Sequence, residues 1–241
     1  MKIRDKVDQV VESGVKPIEI LYDNVRFFDV TSSIKRSFLQ INSLDLGTLT
    51  YRQYRFVARR CKQGEALVRR HVHGILRELS GAERPLPITI PAYARTLLSG
   101  RLAEILFEGF SLFPKADPEF VCIEISADIL YENVELARER IEEIQNLDVK
   151  IAIGEVGDEF CPVFRLPSLP FHYAFLDEYA VEHLADDNAA QSVGALVEYL
   201  HTLGVRVIAP ALEGEAQIER ARILGCDGYT AAREEVPQDE G

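Results

Sequence analysis

Residues 149–181 read VKIAIGEVGDEFCPVFRLPSLPFHYAFLDEYAV. The run from Val149 to Ile153 is apolar and ends in a Gly-containing loop at Gly154, as a buried strand does. HYAFLD at 172–177 is a second strand of the same kind. This outline, a buried strand running into a loop and then another buried strand, is that of an active-site segment in a parallel α/β protein.

The same rhythm extends outward in both directions. N-terminally, EFVCIEIS (119–126) predicts a strand and Ala127–Gln145 a helix. LPITIP (86–91) predicts a strand and Leu97–Phe110 a helix, with Leu98, Leu102, Ile105 and Leu106 on one side. Residues 51–80 predict one helix whose apolar stripe is Leu67, Val68, His71, Val72, Ile75, Leu76 and Leu79. SFLQIN (37–42) is a strand, VRFFD (25–29) and IEILY (18–22) are strands joined by a turn at Asp23-Asn24, and Asp5–Ser13 is a short helix. C-terminally, Ser192–Leu203 is a helix stopped by Gly204, VRVIAP (205–210) a strand, Glu213–Leu224 a helix and CDGYT a last short strand. Periodicity alone leaves an open doubly wound sheet and an α/β barrel both standing. No GxGxxG or GxxxxGK[ST] follows an early strand, which favours the barrel. One domain over residues 1–232 is expected, with an acidic, flexible tail at 233–241.

Composition narrows the function. A net charge of -12 and a pI of about 5.0 argue against general affinity for nucleic acid or an anionic membrane. No apolar run approaches the roughly 18 residues of a membrane span, and MKIRDKVDQVVESG lacks a signal-peptide core. Cys61, Cys122, Cys161 and Cys226 are scattered without CxxC spacing, as expected of free thiols in a reducing cytoplasm. His71 and His73 lie two apart on a predicted helix and so face different ways, which does not suit a metal pair.

Several segments, in order, carry a family resemblance. KVDQVVESGVKPIEILYDNV, ITIPAYARTL, VCIEISADIL, the opening stretch and HTLGVRVIAPALEGEAQIERARILGCDGYT resemble successive motifs of the EAL domain, the bacterial cyclic di-GMP phosphodiesterase family. The resemblance covers about Lys6 to Ala231. It implies a modified (β/α)8 barrel of TIM type whose first strand runs antiparallel. It also implies a bacterial, cytoplasmic signalling setting and self-association through the loop that begins at Gly154.

The chemistry of that family needs carboxylate and amide oxygens converging on divalent metal at strand ends. The resemblance places other residues at most of those positions. The signature Glu-Ala-Leu falls on Phe38-Leu39-Gln40 to within one residue, so Phe38 or Ser37 stands at the glutamate, and the downstream arginine falls on Asn42. The asparagine ligand falls on Pro91, the second glutamate of the E-x-T-E motif on Ala127, and the paired aspartates on Gly154 and Glu155. The lysine falls on Phe175, the late-strand glutamate on Pro210 and the final glutamine on Thr230. Glu124, Glu155 and Asp177 are the residual acidic positions, with Glu213 a further candidate. No catalytic residue, metal ligand set or cofactor is therefore expected.

One segment opposes the overall charge. Arg52, Arg55, Arg59 and Lys62 follow helical spacing and are expected to share a solvent-facing face that docks an acidic protein partner. The leading expectation is thus a catalytically inactive regulatory domain working through protein–protein contact. The alternatives are a non-hydrolysing cyclic di-GMP sensor, disfavoured by Asn42 and Phe175, and a residual metal-dependent phosphodiesterase.

Overall fold

The computed structural model describes residues 18–29, 33–43, 47–59, 64–158 and 161–233. The predicted helix at Asp5–Ser13, Cys61 and Lys62 lie outside these residues, as do positions 234–241.

Strands β1 (Ile18–Phe27), β2 (Ser33–Ser43), β4 (Ile88–Ala92), β5 (Val121–Ser126), β6 (Lys150–Val156), β7 (Tyr173–Leu176), β8 (Arg206–Leu212) and β9 (Gly228–Ala231) close into a barrel. The short β3 (Gly47–Leu49) only extends β2 as a hairpin. From β2 through β9 the barrel neighbours run parallel, while β1 is antiparallel to both β2 and β9. This is the mixed (β/α)8 barrel with a reversed first strand that the resemblance implied.

Helices α1 (Tyr51–Ala58), α2 (Gly64–Gly81), α3 (Ala94–Leu98), α4 (Arg101–Leu112), α5 (Val134–Gln145), α6 (Glu178–Glu182), α7 (Asp187–Thr202) and α8 (Gly214–Ile223) connect or cover the strands. The α2 stripe from Leu67 to Leu79 is buried as its spacing predicts. Each such aliphatic side chain contributes roughly 1.5–3 kcal/mol by leaving water.

Several boundaries differ from the sequence expectations. The turn at Asp23-Asn24 is absent because β1 is continuous there, with Asp23 paired to Arg36 and Asn24 to Lys35 across β2. Ladder pairing overrides the local turn preference of those two residues. The single helix expected over 51–80 is two. A Cβ at Gly64 would stand 2.6 Å from the Ala58 carbonyl oxygen, so the start of α2 lies directly against the end of α1. The helix expected at 97–110 breaks at Gly100, whose φ of 77° only glycine adopts readily. Residues 127–131 form a 3-10 turn before α5, which Asn133 caps through the Leu136 amide.

Strand alternation creates two cores. Outward residues pack under the helices. Inward residues Val25, Phe27, Ile34, Cys122, Ala152, Phe175 and Ile208 form a separate cluster inside the barrel.

His71 of α2 joins the outer core to β2. Ser37 Oγ donates to the Thr89 carbonyl at 2.5 Å and lies 2.9 Å from His71 Nε2. The single hydroxyl proton is committed to Thr89, so the imidazole donates from Nε2. Burial lowers the His71 pKa to about 3. The unfolded chain binds a proton near pH 6.5 and the folded chain does not until about 3. His71 therefore costs no stability above pH 6.5 and removes about 1.4 kcal/mol per pH unit as the pH falls through that window. His71→Gln should flatten the acid limb of a plot of stability against pH. An unchanged slope would show that His71 is protonated equally in both states.

Candidate functional site

The inner face of β2 presents Ile34, Arg36 and Phe38, while Lys35, Ser37 and Leu39 point outward. Arg36 is the residue that organises the barrel interior. Its Nε donates to Glu124 Oε2 at 2.8 Å and its Nη2 to Glu124 Oε1 at 2.5 Å. Both residues are nearly inaccessible, at 7% and 4% exposure. The guanidinium also lies over the Phe175 ring, 4.2 Å from its centroid, and 5.0 Å from that of Phe38. Burial alone would lower the Arg36 pKa, but the charge and hydrogen bonds of Glu124 outweigh it and raise the value.

Gly154 makes room for this pair. A Cβ at that position would collide with Glu124 Oε1. Phe175 is fully buried. Phe38 packs against Tyr51 of α1 at 5.4 Å between ring centroids. Arg233 also lies over the Phe38 ring, 5.0 Å from its centroid, and its Nε donates to Asp23 Oδ1 at 2.5 Å. The described end of the chain is thus tied to the barrel.

A second charged group closes over the end of β6. Glu155 has φ 61°, a left-handed conformation unusual for a residue with a Cβ, at an irregularity in the β6–β7 ladder. Its carboxylate accepts Arg55 Nη1 at 2.7 Å and Arg59 Nη2. Arg59 Nε also lies 4.0 Å from Asp128. The side chains of Arg55, Arg59 and Glu155 are only 15%, 14% and 13% exposed. This corrects the expected solvent-facing orientation of Arg55 and Arg59. Arg55 and Arg59 turn inward onto a partly buried carboxylate instead of facing solvent. The Arg52 side chain lies outside the described set.

The remaining candidates have structural roles. Asp177 caps α6 by accepting the Tyr179 amide at 2.9 Å, and burial raises its pKa. Glu213 is exposed at the start of α8 and its amide donates to Gln217. Thr230 Oγ1 accepts the Ala211 amide at 2.9 Å, which supports the left-handed turn of Ala211 in β8. Asn42 Oδ1 accepts from Thr48 in the β2–β3 hairpin and from Gln40. Pro91 stands opposite Glu124 in the β4–β5 ladder, and both Pro91 and Pro210 are buried.

Glu124 and Glu155 are therefore bonded to guanidinium groups, and Asp177 caps a helix. Among the described residues no group of three or more His, Cys, Asp or Glu could hold a metal ion. These residues do not fit a divalent cation. A cleft of about 1010 Å³ lies between Arg59, the α3 segment from Tyr93 to Ser99 and the Asp128–Glu132 turn. Sequence reasoning found neither that cleft nor Arg36. Strand parity was the available signal for Arg36, because a residue two positions before an inward Phe38 must also point inward.

A protein-family model for the EAL domain matches residues 37–230. The chain belongs to the EAL domain family. That places it in a family of cyclic di-GMP signalling. This EAL domain superposes on the FimX EAL domain from Pseudomonas aeruginosa, bound to c-di-GMP, with a TM-score of 0.82 at 15% identity. That match covers 95% of this chain and 94% of the other. The PaMucR phosphodiesterase in its c-di-GMP complex gives a TM-score of 0.80 at 19% identity, covering 94% and 93%. The bifunctional diguanylate cyclase/cyclic di-GMP phosphodiesterase MucR of Pseudomonas aeruginosa is 26% identical over 112 residues, 46% of this chain and 16% of that protein. The chain spans about a fifth of the length of the first curated relatives it matches, 21%, 18% and 19%. Among the described residues no helix is long and apolar enough to cross a membrane.

Proposed function

We propose that this EAL domain is a non-hydrolysing module of cytoplasmic cyclic di-GMP signalling that acts by contacting a protein. One observation carries the reading. Glu124, the carboxylate that survives from the family's E-x-T-E motif, is bonded through both oxygens to Arg36 inside the barrel. A carboxylate engaged in this way keeps one lone pair on each oxygen, but its charge is already balanced, and a metal that drew it away would leave a buried guanidinium alone at high cost. Phe38, Pro91, Gly154 and Pro210 offer no replacement side-chain oxygen.

Phosphate recognition is weakened as well. Asn42 lacks the bidentate charged fork of an arginine, and Phe175 supplies no cation. With Arg55 and Arg59 turned inward, the proposed protein contact is the connection between β6 and β7, where Phe164 is 89% exposed.

The direct test is incubation with cyclic di-GMP and Mg²⁺ or Mn²⁺, with calorimetry on the same sample. No turnover and no micromolar binding are expected. Turnover abolished by Glu124→Ala would overturn the reading. Micromolar binding without turnover would make the domain a nucleotide sensor instead.

A further inference from the structure

We propose that the Arg36 guanidinium is the resident cation of this barrel, built into the chain at a place that accepts a guanidinium and rejects a divalent metal. The inference rests on the reading above, whose Arg36–Glu124 contact it shares, and deepens it with the shape and charge of the interior. Glu124 is 4% exposed, and burying a carboxylate is costly unless it is paired and hydrogen-bonded. Arg36 supplies it in a planar fork, with two nitrogens meeting two oxygens at 2.8 and 2.5 Å. The ring of Phe175, 4.2 Å from the guanidinium carbon, forms one wall, and Phe38 approaches at 5.0 Å. An aromatic face suits a delocalised, weakly hydrated cation. It does not suit a hard dication, which needs about six oxygen ligands.

Charge balance points the same way. Arg36 and Glu124 neutralise one another, so a dication added between them would leave a large uncompensated positive charge in a poorly solvated interior. Packing reinforces the choice. Gly154 gives Glu124 its position, since any Cβ would strike Oε1. Phe175 fills the space below the guanidinium with no exposure to water. The cation has in effect moved from β7, where the resemblance places a lysine at position 175, to β2.

Thermal unfolding tests this in two arms. In the first, the wild-type chain is melted with millimolar Mn²⁺, with Mg²⁺ and with a chelator. The Tm should stay within about a degree across all three, because a ligand stabilises only what it binds in the folded state. A Tm raised several degrees by Mn²⁺, and no longer raised in Glu124→Leu, would overturn the proposal. In the second arm, Arg36→Met and Glu124→Leu are compared with the double variant. Each single variant strands a buried charge and should lose on the order of 10 °C in Tm. The double variant strands none and should recover most of that loss. A double variant no better than the singles would overturn the proposal. If a single variant fails to fold, a folded double variant supports the pairing directly, and the metal arm needs no variant to be decisive. Catalytic silence together with Mn²⁺ stabilisation would sink this inference while leaving the non-hydrolysing reading intact.

Discussion

Phe175→Lys should destabilise the barrel by on the order of 4 kcal/mol and confer no phosphodiesterase activity. The position is the one the family resemblance assigns to a lysine, so the substitution is a formal reversion. The surroundings make it a disruptive one. Phe175 is fully buried among Val25, Phe27, Ile34, Cys122, Ala152 and Ile208. Removing the ring forfeits roughly 1.5–3 kcal/mol of burial and the contact with the Arg36 guanidinium, worth about 0.5–2 kcal/mol. The incoming ammonium then meets Arg36, with Glu124 already bonded through both oxygens. It must either lose its proton, as buried lysines do, or repel its neighbour. Urea denaturation reads the effect as a lowered midpoint. A midpoint equal to that of the wild type would mean that the barrel interior tolerates water and a second cation at this site, and that the interior is not packed as described.

Much of the scaffold is legible from local pattern, and the limits of that legibility have physical causes. The α2 stripe and the buried strands β5 and β6 follow directly from spacing, because burial of one face is decided by the residues of that element alone. The barrel closure is legible through the order of motifs. The Asp23-Asn24 turn is misread because β1 is held straight by its ladder with β2, a long-range effect. The inward turn of Arg55 and Arg59 is hidden for a similar reason. Helical spacing shows that cations share a face, but it cannot show that Glu155, about a hundred positions later, waits opposite that face. Glu155 reaches its place only through a left-handed backbone, which no propensity for glutamate would suggest. At the candidate site, the replacements at Phe38, Gly154 and Phe175 are visible one by one. Their common cause is not, because Arg36 belongs to no motif and acts only when the barrel closes around it.

Gly154→Asp is the sharper probe of that common cause. The resemblance places an aspartate here, so the change adds a carboxylate that the family's chemistry would use. The expected result is a loss of about 3 kcal/mol or more. Backbone strain is not the reason, since Gly154 is not among the glycines with positive φ. The cost is steric and electrostatic. A Cβ at 154 collides with Glu124 Oε1 and stands 3.2 Å from both Cγ and Cδ of the same side chain. Glu124 must swing away, which pulls one or both oxygens off Arg36. A second carboxylate then lies beside the first in an interior with little water to screen them. Gly154→Ala separates the two effects, because it keeps the collision and omits the charge. It should cost less than the aspartate. In a Glu124→Ala background, Gly154→Ala should cost almost nothing further, because the atom it strikes is gone. The stability coupling between positions 124 and 154 is therefore expected to be large, of order 1–3 kcal/mol. Additive losses in this cycle, or a Gly154→Asp variant as stable as the wild type, would show that Glu124 is free to move. Arg36 would then be a neighbour of that carboxylate and not its lock.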